Sequence, residues 1–151
     1  MFFGGDKRFM NTYEIIELTV NDLRKCESFW DNDGSDDDSR LAGLMKCGER
    51  KAFAYMTGGD YVGGFAVSIR NNESGKYGHF SYFSVRSDLR NNGIGSRILD
   101  FAAEYLRKNG IKAMRLNVYK DNPSAIRLYE RNGFKYAEDI TPEKIAMIKA
   151  L

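Results

Sequence analysis

The sequence predicts an α+β fold: a mixed, mostly antiparallel sheet of about seven strands with a central βαβ unit and helices on both faces. Three observations lead there. Between residues 52 and 85, short segments with strand-like alternation follow one another across glycine- and asparagine-rich turns, the pattern of sequential antiparallel neighbours. An amphipathic helix then separates two more strands, and a crossover helix within one sheet makes its flanking strands parallel and the connection right-handed. Two final strands close on a Thr141-Pro142 turn. At 151 residues, 42% of them hydrophobic, the chain can bury one substantial core. Residues 1–10 read as a flexible extension and 11–151 as a single domain.

Taken in order, Tyr13 to Leu18 has strand character, and Thr19-Val20-Asn21-Asp22 offers caps for a short helix through about Phe29. Asp31-Asn32-Asp33-Gly34-Ser35-Asp36-Asp37-Asp38 is the most polar segment and reads as a solvated loop. A second helix is expected over Ser39 to Cys47. Ala52 to Met56, a Gly58-Gly59 turn and Tyr61 to Ile69 make a hairpin. A polar turn over Asn71 to Lys76 precedes the strand of Phe80, Tyr82, Phe83 and Val85. The next helix lines up Ile94, Ile98, Leu99, Ala102, Tyr105 and Leu106 on one stripe, with Arg97, Asp100, Glu104 and Lys108 outside, and stops at Asn109-Gly110. Met114, Leu116 and Val118 alternate along Ile111 to Tyr119. Asn122-Pro123 pairs an N-cap with a proline at the first helical position, and that helix ends at Gly133. Phe134 to Ala137 and Ile145 to Ala150 are the last two strands, the exposed edge near Lys149 being open to a second copy.

Composition excludes several classes. Cys26 and Cys47 are too few and too far apart for a metal or disulfide framework, which suits a reduced, cytoplasmic protein. No apolar run reaches membrane-spanning length, and MFFGGDKRF interrupts its own hydrophobicity, so neither a span nor a signal peptide is expected. A net charge of +2 leaves no nucleic-acid footprint. The distribution is uneven, however. Residues 1–85 hold 10 Lys/Arg against 13 Asp/Glu, whereas residues 86–135 hold 11 against 5. The basic half contains Arg90-Asn91-Asn92-Gly93-Ile94-Gly95-Ser96 at a helix start, where unpaired N–H groups and the helix dipole favour an anion. Gly93 and Gly95 remove Cβ atoms where a phosphate would approach the main chain, and Arg90 can add an ion pair. A dinucleotide fingerprint is disfavoured, because Ile98 stands at its third glycine position and the upstream strands form hairpins. The acidic loop is no EF-hand either: in the register set by Gly34, Phe29 replaces the first ligand and Arg40 the closing glutamate.

Two linked motifs then carry a family resemblance. Val85-x-x-x-x-Arg90-x-x-Gly93-Ile94-Gly95 is followed, after a helix and a strand, by Asn117-x-x-x-x-Asn122-x-x-Ala125-x-x-Leu128-Tyr129-x-x-x-Gly133-Phe134. Over Ala52 to Leu151 the chain resembles the GNAT superfamily of acyl-CoA N-acyltransferases. The resemblance implies a GNAT-like fold and a single acyltransferase domain over 11–151, acting as an N-acetyltransferase with acetyl-CoA as cofactor and a primary amine as acceptor, by direct attack and without a metal. It implies coenzyme A bound by Phe83, Ser84 and Val85 along the strand, by Arg90, Asn91, Asn92, Gly93, Ile94, Gly95 and Ser96 at the pyrophosphate, and by Asn117, Asn122, Ala125 and Tyr129. The Phe83 N–H would stabilise the oxyanion, and Tyr129 would act as general acid on the departing thiolate.

Many members carry an acid two to four residues before the final valine of the central strand; here Ser81 and Tyr82 occupy that region. Tyr82 and His79, the sole histidine, are the candidate bases, with water or an acid from the N-terminal half as alternatives. Asp36, Asp37 and Asp38 would attract a cationic acceptor. The competing class is a non-catalytic acyl-CoA-binding regulatory module. A monomer and a homodimer are both open.

Overall fold

A computed structural model describes residues 12–22 and 43–151. The expected N-terminal extension, the helix through Phe29, the acidic loop with Asp36, Asp37 and Asp38, and the start of the helix over 39–47 lie outside the described residues. The described strands are β1 Tyr13–Glu17, β2 Lys51–Thr57, β3 Asp60–Asn72, β4 Gly75–Val85, β5 Ala113–Tyr119, β6 Lys135–Thr141 and β7 Lys144–Ala150, with helices α1 Ile94–Lys108 and α2 Pro123–Arg131. They form one seven-stranded sheet in the order β1-β2-β3-β4-β5-β7-β6. β4 and β5 are parallel across the α1 crossover, while β1–β2, β5–β7 and β6–β7 are antiparallel. This is the mixed sheet and βαβ unit that the sequence predicts. The chain divides into two compact units, the first holding the described residues up to Ala66 with Tyr82–Gly95, the second Val67–Ser81 with Ser96–Leu151.

In the first unit, Leu18, Ala52, Ala54 and Ala66 form a buried cluster flanked by Ile16, Met45, Met56, Tyr61 and Tyr82. Phe53 stacks on Phe65 with ring centroids 5.1 Å apart, and Tyr13 on Tyr55 at 4.7 Å, cross-strand aromatic pairs of the kind that hold a sheet in register. The Gly58-Gly59 turn has both glycines at positive φ, 58° and 83°, which a two-residue hairpin whose twist matches its strands requires. At the end of β1, the Asp22 carboxylate accepts from both the N–H and the hydroxyl of Thr19 at 2.8 Å, the reciprocal half of a capping box.

In the second unit, α1 buries Ile98, Leu99, Ala102, Ala103 and Leu106, and β5 buries Met114, Leu116 and Val118, the faces that the two periodicities assign. Both helices stop by the same device. Gly110 (φ 77°) lets the Ile111 N–H reach the Leu106 carbonyl at 2.9 Å and its own N–H reach Arg107 at 3.0 Å. Gly133 (φ 91°) does the same for Phe134 to Tyr129 at 3.0 Å and Gly133 to Glu130 at 3.1 Å. These are paired 6→1 and 5→2 bonds, closing on an apolar residue after the glycine. An alanine at 133 would place its Cβ 3.5 Å from Lys149 Cε, an ordinary contact, so only the left-handed backbone is penalised. Gly133→Ala is expected to cost about 1 kcal/mol, a fall of about 2–4 °C in a calorimetric Tm.

Two expectations change. The polar turn over Asn71 to Lys76 shrinks to Glu73-Ser74, because β3 runs on to Asn72 and β4 resumes at Gly75. The Ser74 N–H donates to Asn72 Oδ1 at 2.9 Å and Gly75 adopts φ 111°, so the turn residues complete a tighter reversal than their polarity alone suggests. The strand of Lys149 is not an edge: β7 lies between β5 and β6, and the fully exposed edge strand is β6. Its ladder with β7 is interrupted twice, between Tyr136 and Glu138 and between Asp139 and Thr141, irregularities that discourage pairing with another chain.

Candidate active site

The site builds from the end of β4. Its parallel ladder with β5 comprises Gly78 opposite Met114 and His79 opposite Arg115. Three residues beyond His79, Tyr82 takes φ 53°. A left-handed residue inside a strand breaks the alternation and re-aims the residues after it, and for a tyrosine it stores on the order of 1–2 kcal/mol. The Arg50 guanidinium sits 5.4 Å from the centre of the Tyr82 ring, and the ring packs on the Leu18 and alanine cluster. On either side of this kink, the Ser81 and Ser84 hydroxyl oxygens are buried and have no hydrogen-bond partner among the described residues. Phe83 and Val85 are half-buried. The end of the strand is pinned by the Arg86 N–H, which donates to Val62 O at 2.8 Å.

The loop after β4 is held by its own side chains. Arg86 pairs with Asp88 at 2.7 Å, and this guanidinium holds the Asp88 carboxyl below its ordinary value. Arg90 folds back, its Nε donating to the Val85 carbonyl at 3.1 Å. Asn92 Nδ2 donates to the carbonyls of Leu89 at 3.0 Å and Arg90 at 3.1 Å. Asn91 (φ 67°) and Gly93 (φ 80°) are both left-handed. A Cβ at Gly93 would meet nothing within 4 Å, so this glycine supplies backbone freedom rather than room within the protein. α1 starts at Ile94 with no acidic residue in its first turn; Ile94 is buried and Gly95 and Ser96 are half-buried. A helix start preceded by two left-handed residues, with no acidic residue of its own in the first turn, fits a phosphate group.

The second motif sits on β5 and α2. Asn117 is exposed, opposite Ala146 in the β5–β7 ladder. The Asn122 side-chain oxygen caps α2 by accepting from the Ala125 N–H at 3.2 Å, with Pro123 behind it in the first turn. Tyr129 is 6% exposed, its ring edge-on to Phe134 at 5.8 Å. Burial pushes its phenol well above the ordinary value of 10. That ring pair is the apolar contact of the helix-stop motif. The Tyr129-x-x-x-Gly133-Phe134 spacing is therefore also a fold signal, and it fixes where Tyr129 can lie.

His79 is half-buried. Sequence reasoning passed over one residue. The half-buried Asn132, last of the α2 stop, donates from Nδ2 to Leu128 O at 2.8 Å and to Ser96 Oγ at 3.1 Å. An asparagine directly before Gly-Phe at a helix end is the signal that could have found it.

Residues 16–134 match the family model described as the acetyltransferase (GNAT) family; the chain belongs to that family. It is 34% identical over 98 residues, 63% of this chain and 43% of the relative, to an uncharacterized N-acetyltransferase of Methanocaldococcus jannaschii. It is 35% identical over 71 residues, 47% of this chain but 25% of the relative, to a chloroplastic GCN5-related N-acetyltransferase 6 of Arabidopsis thaliana. The matched stretch thus spans less than half the length of either of these curated relatives. Among solved structures, the PaiA N-acetyltransferase of Thermoplasma acidophilum, in complex with coenzyme A, superposes with a TM-score of 0.74 at 18% identity, covering 93% of this chain and 99% of that one. Among the described residues no helix is long and apolar enough to cross a membrane.

Proposed function

We propose that this chain, read as one acyltransferase domain over 11–151 in a reducing cytoplasm, transfers the acetyl group of acetyl-CoA to a primary amine. The amine nitrogen attacks the thioester carbonyl, the N–C bond forms, the C–S bond breaks, the amine gives up a proton and the thiolate accepts one. The observation that carries this reading is Tyr129, buried and fixed by the end of α2 at its place in the second motif. A phenol, protonated at neutral pH, can donate to a thiolate as it departs. Family membership and the phosphate-compatible start of α1 support the cofactor.

In this reading Asn91, Asn92, Gly93, Ile94, Gly95 and Ser96 cradle the pyrophosphate, with Arg90 contributing the guanidinium N–H groups other than Nε. Phe83, Ser84 and Val85 lie along the pantetheine arm, the Phe83 N–H serving the oxyanion. Ser84, a buried hydroxyl with no partner among the described residues, suits that polar arm. Asn117, Asn122 and Ala125 complete the contacts. His79 and Tyr82 are the bases on β4, and Asp36, Asp37 and Asp38 draw a cationic acceptor. A monomer suffices for this chemistry; a homodimer is compatible with it.

Thiol release from acetyl-CoA across a panel of polyamines, aminoglycosides and lysine peptides tests the reading. Turnover is expected with at least one cationic amine. Neutralising Asp36, Asp37 and Asp38 together to asparagine should raise acceptor KM several-fold at low salt, an effect that fades at high salt; an unchanged KM removes the acidic loop from the site. The second reading, a non-enzymatic acyl-CoA-binding regulator, is favoured by the absence of a carboxylate from Phe80 to Val85. Coenzyme A binding without thiol release from any amine would establish it.

A further inference from the structure

We propose that Asn132 is a positioning residue for the acetyl donor: it sets the Ser96 hydroxyl as a hydrogen-bond donor to the donor's phosphate at the start of α1. It thereby links occupancy of that helix start to the helix end that carries Tyr129. This rests on the N-acetyltransferase reading above.

A side-chain amide nitrogen has two hydrogens to donate and accepts nothing. Asn132 Nδ2 has two acceptors, the Leu128 carbonyl at 2.8 Å within its own helix and Ser96 Oγ at 3.1 Å. Ser96 Oγ must therefore be the acceptor in that bond, and its single proton has to point elsewhere. A serine deep in a helix returns that proton to the carbonyl four residues back. Ser96 is the third residue of α1, so the residue four back lies outside the helix. Ser96 belongs instead to the first turn, whose N–H groups have no intrahelical partner. The amide thus converts a hydroxyl of either polarity into a committed donor at a place that already favours an anion.

The same asparagine closes α2. Its backbone N–H donates to Leu128 and Tyr129 carbonyls at 3.2 Å and 3.0 Å, and Tyr129 O also receives the Phe134 N–H at 3.0 Å. One side chain therefore spans from the turn after Tyr129 to the first turn of α1. By reciprocity, whatever the bond contributes to donor binding, donor binding contributes to ordering that turn.

The test is coenzyme A affinity by titration calorimetry for the full chain and for Ser96→Ala, Asn132→Ala and the double variant, with thermal melts as a check of folding. Ser96→Ala is expected to raise Kd by about tenfold, and Asn132→Ala by about three- to tenfold, since a bond to a charged acceptor is among the stronger ones. The double variant should be within twofold of Ser96→Ala alone. A purely structural role for Asn132 predicts effects that multiply, and that outcome overturns the proposal. So does an Asn132→Ala Kd within twofold of wild type.

Should Asn132→Ala melt too low to titrate, Asn132→Asp keeps the shape and reverses the bond, drawing the Ser96 proton to the new carboxylate. Its weakening of coenzyme A binding should be larger with Ser96 present than with Ser96→Ala; equal weakening in both backgrounds overturns the proposal. Hydrogen exchange gives a readout apart from activity: coenzyme A should protect the amides of Asn132 to Phe134 in wild type but not in Ser96→Ala, and equal protection in both overturns the link. A wild-type chain that binds no coenzyme A removes the N-acetyltransferase reading itself, whereas tight binding with independent variants removes only this proposal.

Discussion

Tyr129→Phe should lower kcat by roughly 10²-fold or more, the scale of a lost general acid, while leaving the Kd for coenzyme A within a few-fold. The hydroxyl is the only group removed. The ring stays in its place against Phe134, so packing and the α2 stop survive. Equal turnover of the two proteins would take the acid role away from Tyr129. Ionisation supplies a second check. Burial raises the folded-state pKa of this phenol above its ordinary 10, so the folded chain keeps a proton that the unfolded chain loses. The associated stability is complete below pH 10 and declines as pH rises from there toward the folded value. In urea titrations, the stability difference between wild type and Tyr129→Phe should be constant from pH 7 to 9. Above pH 10 it should shift against wild type by up to about 1.4 kcal/mol per pH unit. Across the neutral range Tyr129 stays protonated, and any acid limb in the rate profile belongs to the group that accepts the amine proton.

What the sequence disclosed about Tyr129 and what it hid have different physical origins. The α2 boundaries were legible because Asn122-Pro123 and Gly133-Phe134 are local signals, each acting within one turn of chain. The βαβ unit was legible for the same reason, a 3.6-residue stripe between two alternating segments. The kink at Tyr82 was not: an L-residue at φ 53° carries no turn signal in the sequence, and the partners its ring meets, Arg50 and the Leu18 cluster, are distant in sequence. Nor was the Ser96–Asn132 bond, which joins residues 36 apart. The expectation of an exposed edge near Lys149 fails because Lys144–Ala150 and Lys135–Thr141 are both compatible with an edge by composition alone. Insertion of β7 between β5 and β6 follows from its apolar run Ile145-Ala146-Met147, buried throughout, as a strand covered on both faces must be.

Gly78→Ala is expected to produce one of the largest losses of stability from a single methyl group in this chain. An added Cβ would overlap both Leu106 methyl carbons and lie 2.9 Å from Leu106 Cγ, closer than carbon atoms can pack. Leu106 is fully buried, so relieving the strain means moving α1 away from β4 or forcing an off-rotamer leucine. Either costs about 1–3 kcal/mol, a fall of about 2–12 °C in Tm for a chain of this size. Leu106→Ala alone should also destabilise, by about 2–5 kcal/mol, through the cavity it leaves. Together the two changes should be much less harmful than their sum, because the new methyl occupies part of the space the leucine vacates. Additive losses in chemical denaturation would mean that Gly78 is required for backbone freedom instead of contact. The consequence for function comes from position. Gly78 is opposite Met114 on the first rung of the β4–β5 ladder, and Leu106 lies on the helix that begins at Ile94. To the extent that the clash is relieved by moving α1, the helix whose first turn carries Ser96 shifts with it, and the Gly78→Ala protein that remains folded should bind coenzyme A more weakly in proportion to that shift.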